Sequence, residues 1–395
     1  MVPYNDNGQM EEDEKCSVTI EVPERAANAT TGWYHPELDM LRFCAFFMVF
    51  AFHATGGNFN SLFAPGAYGV DLFFVLSAYL ITEILLREMR LLGRFDIKAF
   101  YLRRMLRIWP LYFAFLGLTF LFAQHLHTEA FPLPARLMFL FFVGNWQFVL
   151  GRTVRTVSSL LWSVCLEEQF YLVWPLLLRR WLRQLPLIGA GAFLLATVSR
   201  LLLYLHGPVS HPVDTYWKGT FTHLDPIVAG SLVAFTLDGR VPQLALTKRL
   251  LILAGGFAGV LAVGWFGPPW GGRALLTYPV AAISCAAILV SVLRPTGAGN
   301  IGLFRRCMVH LGRISYGLYV FHGVCLTVAS RIVSRSGGGH PRMHWFVRDT
   351  TALVLTVLVA ECSYHVLELP FLLLKERFST IKSGPASLPK FAKIR

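Results

Sequence analysis

Charged residues are scarce in this sequence. Only 15% of its 395 residues are charged, 55% are hydrophobic, and the mean hydropathy is +0.52. A soluble globular domain carries about 25% charged residues, so the composition excludes an ordinary soluble protein of this length. We therefore expect the lipid bilayer to be the main solvent of the chain.

Acidic residues are scarcer still, since 23 of them stand against 36 basic ones and leave a net charge of +13. In a soluble protein such an excess indicates nucleic-acid binding, but in a membrane protein Lys and Arg collect in cytoplasmic loops. The sequence therefore predicts the lipid bilayer as a partner and no nucleic acid.

Cysteines in a disulfide or metal-binding pattern are also missing. None of the seven cysteines forms a CxxC pair or another ligand-spaced pair, and five of them lie within apolar runs. We predict neither a disulfide framework nor a metal site. Residues 1–35 also lack the basic and apolar regions of a signal peptide, since they are polar and acidic.

What the sequence does contain is a series of apolar runs, each long enough, at about 20 residues, to cross the hydrocarbon core. The predicted fold class is an all-α, polytopic integral membrane protein of about ten transmembrane helices, with both termini in the cytoplasm because that side then receives the basic loops. The runs cover residues 38–56, 68–86, 108–124, 158–178, 184–205, 222–237, 250–266, 274–293, 314–332 and 347–366.

This threading divides the chain into three parts. We predict a disordered, acidic cytoplasmic tail over residues 1–35, a single membrane domain over 36–378 and a basic cytoplasmic tail over 379–395. The orientation holds only if residues 136–150 do not cross the membrane. Because Gly144-Asn145-Trp146 interrupts that short segment, we predict that it is interfacial or re-entrant.

The first predicted span carries two titratable side chains, Arg42 and His53, which are expensive in a membrane and therefore indicate function. Their spacing places them on one helix face, about 16 Å apart along the axis, and Asp39 lies one turn before Arg42. A neutral histidine is a natural general base near neutral pH. The alternative is that His53 is a packed core residue and Arg42 extends to the headgroups.

Polar residues also mark the next two spans. Asp71 and Ser77 lie on the second span, which a hairpin connection brings close to the first. Residues 103–110 form a predicted arginine-rich loop, and guanidinium groups such as those of Arg104 and Arg107 match phosphate oxygens well. The alternatives are that Asp71 belongs to the outer rim and that the arginines only anchor the loop at the cytoplasmic surface.

Two adjacent carboxylates, Glu167 and Glu168, begin the fourth span, where the cost of burying charge indicates a functional role. Adjacent positions on a helix diverge by about 100°, so at most one of them can face a shared site. Residues 314–322 bring two tyrosines and His322 together at intervals of three, although interfacial aromatics explain the tyrosines equally well.

In their order and spacing these motifs resemble those of the acyltransferase-3 membrane proteins, which include O-acetylases of surface glycans and macrolide acyltransferases. The resemblance covers residues 36–378, and it departs from the family pattern at Ala78, where glycine is usual, and at His223, where arginine is usual. The motifs are Leu38-Asp39-Met40-Leu41-Arg42 with ten residues to His53, and residues 69–77, 104–110, 162–175, 314–322 and 368–370.

The resemblance implies a membrane O-acyltransferase of the cell membrane that takes an acyl group, usually acetyl, from acyl-CoA on the cytoplasmic side. Acyl-CoA is a co-substrate, no cofactor is bound permanently, and the acceptor is a hydroxyl of a carbohydrate or glycoconjugate. Direct transfer and an acyl-histidine relay both stay open. The predicted catalytic residues are His53 and Glu167, the predicted acyl-CoA ligands are Arg42, Arg104 and Arg107, and the predicted substrate-binding residues are Asp71, Ser77, Tyr171 and His322.

The roles assigned to the catalytic pair are specific. His53 removes the proton of the acceptor hydroxyl, and Glu167 orients either His53 or the acceptor. The alternative function is a transporter or flippase for a small or lipid-linked substrate, because intramembrane charges also line transport pathways. Its expected inverted repeat is not apparent in the sequence, and a non-catalytic scaffold leaves the intramembrane charges unexplained.

Overall fold

The computed structural model describes residues 34–122, 132–151, 157–207, 211–266, 269–294, 302–335 and 341–378. Within these ranges every regular element is a helix, which confirms the all-α prediction. Residues 1–33 and 379–395, which contain most of the predicted acidic tail and the whole of the basic one, lie outside the described residues.

We number the helices in chain order. They are α1 Pro36–Ala54, α2 Gly69–Leu92, α3 Ile97–Leu121, α4 Leu133–Leu140, α5 Trp146–Val149, α6 Trp162–Trp181, α7 Leu185–Leu205, α8 Pro212–Lys218, α9 Asp225–Leu237, α10 Leu246–Trp265, α11 Ala274–Val292, α12 Leu303–Arg313, α13 Ser315–Arg335, α14 Pro341–Ser363 and α15 Leu369–Glu376. Short 3₁₀ segments cover Ala64–Tyr68, Val157–Leu161, Leu182–Gln184 and Gly271–Arg273, and a π-helical turn covers Tyr364–Glu368.

Each of the ten predicted runs is occupied by a helix, namely α1, α2, α3, α6, α7, α9, α10, α11, α13 and α14. Seven segments are long and apolar enough to cross a membrane, and one of these contains both α6 and α7. Two of the ten helices lie outside these seven segments. They are α1, which has 19 residues and carries several charges, and α9, which has only 13 residues. The chain is therefore a multi-pass membrane protein.

Residues 136–150 do not form a spanning helix, as predicted. They divide between α4 and α5, of 8 and 4 residues, and the chain turns at Phe142, which adopts a φ of 57°. Gln169 of α6 donates to the Phe142 carbonyl at 2.8 Å and to Asn145 at 2.9 Å, and Asn145 donates to the Lys218 carbonyl at 3.0 Å. These bonds satisfy the irregular backbone, which the membrane itself cannot do.

The arginine-rich segment 103–110 is helical, which corrects the prediction of a loop. Helix α3 begins at Ile97, where the Asp96 side chain accepts hydrogen bonds from the Lys98 and Ala99 backbone N–H groups, and it continues through Pro110. These N–H groups also hold the pKa of the exposed Asp96 carboxyl below its usual range. An N-cap of this kind starts a helix effectively, and it places the arginines on a fixed helical surface.

Glycines allow the helices around the site to approach closely. A Cβ on Gly312 of α12 would overlap the Asp39 carbonyl of α1, and a Cβ on Gly230 of α9 would overlap the Val75 carbonyl of α2. Small residues at such crossings are the usual means by which membrane helices pack, because lipid offers no hydrophobic driving force between them. The positions of α1 and α2 therefore depend on these two contacts.

A buried ion pair joins α7 to α9. The guanidinium of Arg200 donates to Asp225 at 3.0 Å and to the Thr222 carbonyl at 2.9 Å, and it lies over the Tyr278 ring at 4.8 Å. Both charged side chains are completely buried. Because each charge satisfies the other, the short helix α9 is held in the bundle despite its length.

We expect Gly230→Ala to lower the melting temperature of the detergent-solubilised protein, because the new methyl group forces α9 away from α2. The matched control is Gly191→Ala, also within a helix, where a Cβ meets nothing within 4 Å. That change is expected to be neutral or to stabilise by about 0.5–1 kcal/mol, the usual gain for Gly→Ala in a helix. Equal melting temperatures for the two variants would contradict the close crossing.

Candidate functional site

The first of two cavities lies between α1, α2, α3, α6 and α13, and we call it the arginine cavity. It holds about 710 Å³ of empty space, part of which is open to the surroundings. Six of the predicted site residues line it, from four different helices. They are Arg42, Ser77, Arg104, Arg107, Glu167 and Tyr171.

The helical geometry of α3 selects which arginines reach the cavity. Arg104 and Arg107 are three residues apart and share a helix face, and both line the cavity. Arg103 points elsewhere, because it is buried in an ion pair with Glu88 at 2.8 Å. Arg42 donates to Asp39 at 3.3 Å, which is the pairing that the sequence suggested.

A smaller pocket adjoins the arginine cavity and shares its three arginines. Its lining adds Lys375 from α15 and Asp39. Four cationic side chains therefore converge where a single carboxylate lies, and such a surface suits a ligand with several phosphate oxygens. Lys375 was missed from sequence, because a basic residue after the last span is expected at the cytoplasmic surface whether or not it binds anything.

A chain of hydroxyl groups crosses the arginine cavity. The Ser77 hydroxyl contacts the Tyr171 hydroxyl, which donates to the Glu167 carboxylate at 3.2 Å. Glu168 does not line the cavity and instead accepts from the Trp109 indole at 3.1 Å. Only one of the adjacent glutamates faces the site, as the helical spacing predicted.

The second cavity surrounds His53, and we call it the histidine cavity. It holds about 1570 Å³ of empty space, which includes its open side. Its lining combines aromatic faces with charged and amide groups from α1, the loop after α1, α8 and the residue that precedes the 3₁₀ segment Gly271–Arg273. The side chains that matter below are His53, Asn58, Phe59, Asp214, Trp217, Lys218 and Trp270.

The two cavities meet at Val70 and Tyr319, which line both. The Tyr319 hydroxyl lies 2.6 Å from Ser163 Oγ and donates to the Leu160 carbonyl at 3.1 Å, and its ring packs edge-on against Phe73. A single layer of side chains therefore divides the arginine cavity from the histidine cavity. Sequence patterns did not indicate this role for Tyr319, since interfacial tyrosine was an adequate explanation.

The structure does not bring Glu167 to His53, so no contact supports the first of the two predicted roles of Glu167, the orientation of His53 and the orientation of the acceptor. Glu167 lines the arginine cavity and His53 the histidine cavity. Among the described residues, none of the hydrogen bonds joins them. His53 Nδ1 instead lies 2.9 Å from the Val49 carbonyl oxygen of its own helix and 3.4 Å from Nε2 of His322 on α13.

Asp71 and His322, both predicted to bind substrate, line neither cavity and are 0% exposed. Asp71 accepts from or donates to His223 Nε2 at 3.1 Å, while His223 Nδ1 lies 2.6 Å from the Trp217 carbonyl and must donate to it. Asp71 and His223 therefore form a buried hydrogen-bonded pair. Burial behind other side chains, which spacing along the chain cannot reveal, removes both from direct substrate contact.

We compared the sequence with those of known proteins. Residues 35–363 match the profile of the acyltransferase-3 family, which is described as an acyltransferase domain. The chain is 28% identical over 364 residues to a peptidoglycan O-acetyltransferase of Listeria monocytogenes, an alignment that covers 85% of this chain and 56% of the relative. It is 29% identical over 371 residues to a putative peptidoglycan O-acetyltransferase of Bacillus subtilis, with coverages of 85% and 55%.

A third relative is an O-acetyltransferase of Staphylococcus aureus, 25% identical over 384 residues, with coverages of 91% and 60%. The chain thus spans 55–60% of the length of these three curated relatives. No solved structure matches the chain.

Because Asp71 is part of a buried pair, we expect Asp71→Ala to act on stability and not on substrate binding. Breaking a buried pair by removing one partner costs about 3–5 kcal/mol, and denaturation in detergent measures the loss. The control is Asp238→Asn, which removes the charge of the exposed pair with Arg90, keeps a residue type that tolerates the left-handed φ of 44° at this position, and costs no more than about 1 kcal/mol. Wild-type stability for Asp71→Ala would return Asp71 to the list of candidate substrate ligands.

Proposed function

Because the chain belongs to the acyltransferase-3 family, we propose that it moves an acyl group from acyl-CoA to a hydroxyl of a carbohydrate or glycoconjugate, with His53 as general base. The observation that carries this proposal is the pair of cavities on one helix. The arginine cavity suits the donor, the histidine cavity suits the acceptor, and the two meet at Val70 and Tyr319.

The arginine cavity supports the choice of donor. Acyl-CoA carries phosphates at one end and a thioester at the other, joined by a long, narrow arm. The smaller pocket beside the arginine cavity is lined by four basic residues, Arg42, Arg104, Arg107 and Lys375. Guanidinium groups bind phosphate by paired hydrogen bonds. The arm then extends along the cavity toward Tyr319, which brings the thioester to the layer that divides the two cavities.

Glu167 acts, in this proposal, on the donor and not on His53. Its carboxylate holds the Tyr171 hydroxyl, which in turn contacts Ser77. These three hydrogen-bonded side chains therefore place ordered polar groups beside the path of the acyl-CoA arm, where they fix the position of the thioester before transfer. Holding a reactant in the correct orientation increases the reaction rate, because the translational and rotational entropy is then lost on binding and no longer adds to the barrier of the chemical step.

The histidine cavity supports the choice of acceptor. Phe59, Trp217 and Trp270 offer aromatic faces, and the ion pair between Lys218 and Asp214 at 2.7 Å offers donors and acceptors beside them. Aromatic faces with a few polar groups suit a sugar ring, whose faces are apolar and whose edge carries hydroxyls. Two of the relatives are named peptidoglycan O-acetyltransferases, which favours a glycan acceptor at the cell membrane.

The reaction then proceeds by general base catalysis. His53 Nε2 takes the proton of the acceptor hydroxyl as its oxygen attacks the thioester carbonyl carbon. The carbon–sulfur bond breaks, an ester forms, and the coenzyme A thiolate receives the proton from the imidazolium. A base placed in this way contributes typically about 10²- to 10⁴-fold to the rate.

Two substitutions test whether the base and the acyl-CoA site lie in different cavities. His53→Gln is expected to lower kcat by about 10²-fold or more and to leave the KM for acyl-CoA unchanged, because the donor lies in the other cavity. Lys375→Gln is expected to raise the KM for acyl-CoA about tenfold, the cost of one charge-assisted hydrogen bond, with kcat retained. Purified protein, acetyl-CoA and a soluble glycan acceptor provide the assay.

The matched control is Arg180→Gln, because Arg180 is an exposed cation that lines neither cavity. It is expected to leave both constants at the wild-type values. Turnover that survives in His53→Gln would end the assignment of the base, and a KM that is unchanged in Lys375→Gln would remove Lys375 from the donor site.

A further inference from the structure

His322 lies directly behind His53 and is the second imidazole of a buried pair. The two ring centroids are 5.0 Å apart, and His322 Nε2 lies 3.4 Å from His53 Nδ1. His322 itself is 0% exposed. It lines neither cavity, so any effect that it has on the reaction must pass through the side chains that it contacts, of which His53 lines the histidine cavity.

Hydrogen bonding fixes the tautomer of His322. Its Nδ1 lies 2.6 Å from the Tyr319 carbonyl oxygen, which can only accept, so this nitrogen carries a hydrogen. In the neutral ring the remaining nitrogen, Nε2, then holds a lone pair. That lone pair faces His53 Nδ1.

The same reasoning fixes the tautomer of His53. Its Nδ1 lies 2.9 Å from the Val49 carbonyl oxygen, so Nδ1 carries the hydrogen and donates it to two acceptors, Val49 O and His322 Nε2. The lone pair of His53 is then on Nε2, which has no hydrogen-bond partner among the described residues, on a side chain that lines the histidine cavity.

We propose that His322 is a positioning residue for acyl transfer: its Nε2 accepts from His53 Nδ1–H, holds the His53 ring, and keeps the basic Nε2 of His53 directed into the histidine cavity. This inference rests on the proposed function of His53. When Nε2 takes the acceptor proton, His53 carries a hydrogen on each nitrogen and a positive charge. The lone pair of His322 then faces the charged Nδ1–H, and no proton leaves Nδ1 at any step.

The pair also explains why a neutral imidazole is used instead of a carboxylate. A buried carboxylate behind His53 needs compensation for its own charge before any proton is transferred. His322 is neutral in the resting state, and its packing between Phe46 and Tyr319 requires no counter-ion. The ring therefore orients the base at a lower cost of burial.

Two polar substitutions of His322 separate orientation from simple packing. The amide of His322→Gln reaches the position of the imidazole Nε2 and still offers an oxygen to His53, whereas the shorter amide of His322→Asn reaches only the position of Nδ1. Loss of the partner that orients a metal-bound histidine costs about 10- to 100-fold. By analogy, we expect the Gln variant, whose oxygen still accepts from His53 Nδ1–H, to keep kcat within about tenfold of the wild type, and the Asn variant to lose about 10²-fold or more. The KM for acyl-CoA should not change in either.

Melting temperatures of both variants and the turnover of His53→Gln complete the experiment. Equal kcat values for folded Asn and Gln variants would overturn the inference, because a packing role treats the two amides alike. If the Asn variant does not fold, a 10²-fold loss of kcat in the folded Gln variant would equally overturn it. Turnover retained in His53→Gln would instead overturn the proposed function, so the two failures are distinguishable.

Discussion

The cost of placing charge in a membrane governs this structure. A charged side chain at the centre of a bilayer costs at least about 2.5–3.5 kcal/mol, and the bundle brings several such groups together between α1, α2, α3 and α6. They persist because protein surrounds them: Arg42 bonds Asp39, Arg103 bonds Glu88, and Glu167 holds a tyrosine hydroxyl. Arg42 and Glu167 line the arginine cavity, which is the space that the proposed function assigns to the phosphorylated donor.

Helix α1 connects that space to the second cavity. Its eleven-residue interval from Arg42 to His53 is close to three turns, about 16 Å along the axis, so one rigid element presents Arg42 to the first cavity and His53 to the second. Close crossings at Gly312 and at the segment before α2 hold α1 in place. A shift of this helix would move both groups together, which keeps the distance between donor and acceptor sites constant.

Hydropathy and helical spacing predicted much of this arrangement. The helices at the ten predicted runs, the non-spanning segment 136–150 and the single glutamate that faces the site follow from composition, length and 100° steps. Contacts between distant parts of the chain did not follow. His322 is 269 residues from His53 and His223 is 152 from Asp71, and neither periodicity nor composition states which faces of separate helices meet.

The arginine-rich segment illustrates a different limit. A run of basic residues after the second span favoured a loop, yet the Asp96 cap and the helix-forming residues that follow it extend α3 back to Ile97. Membrane helices tolerate an internal proline because neighbouring groups satisfy the backbone that it frees. The local signal was therefore present at Asp96, and the prediction failed because charge alone was used to place the start of the third span.

The central claim is that acyl donor and acceptor occupy cavities on opposite halves of α1 and that the acyl group passes between them at Tyr319. Reconstitution in sealed vesicles of known orientation tests it most directly, with acetyl-CoA enclosed on one side and a membrane-impermeant glycan acceptor on the other. We predict acetylated glycan only when acetyl-CoA is on the side of Arg42 and Lys375 and the acceptor on the side of His53. Acetylation that requires both substrates on the same side would contradict the account.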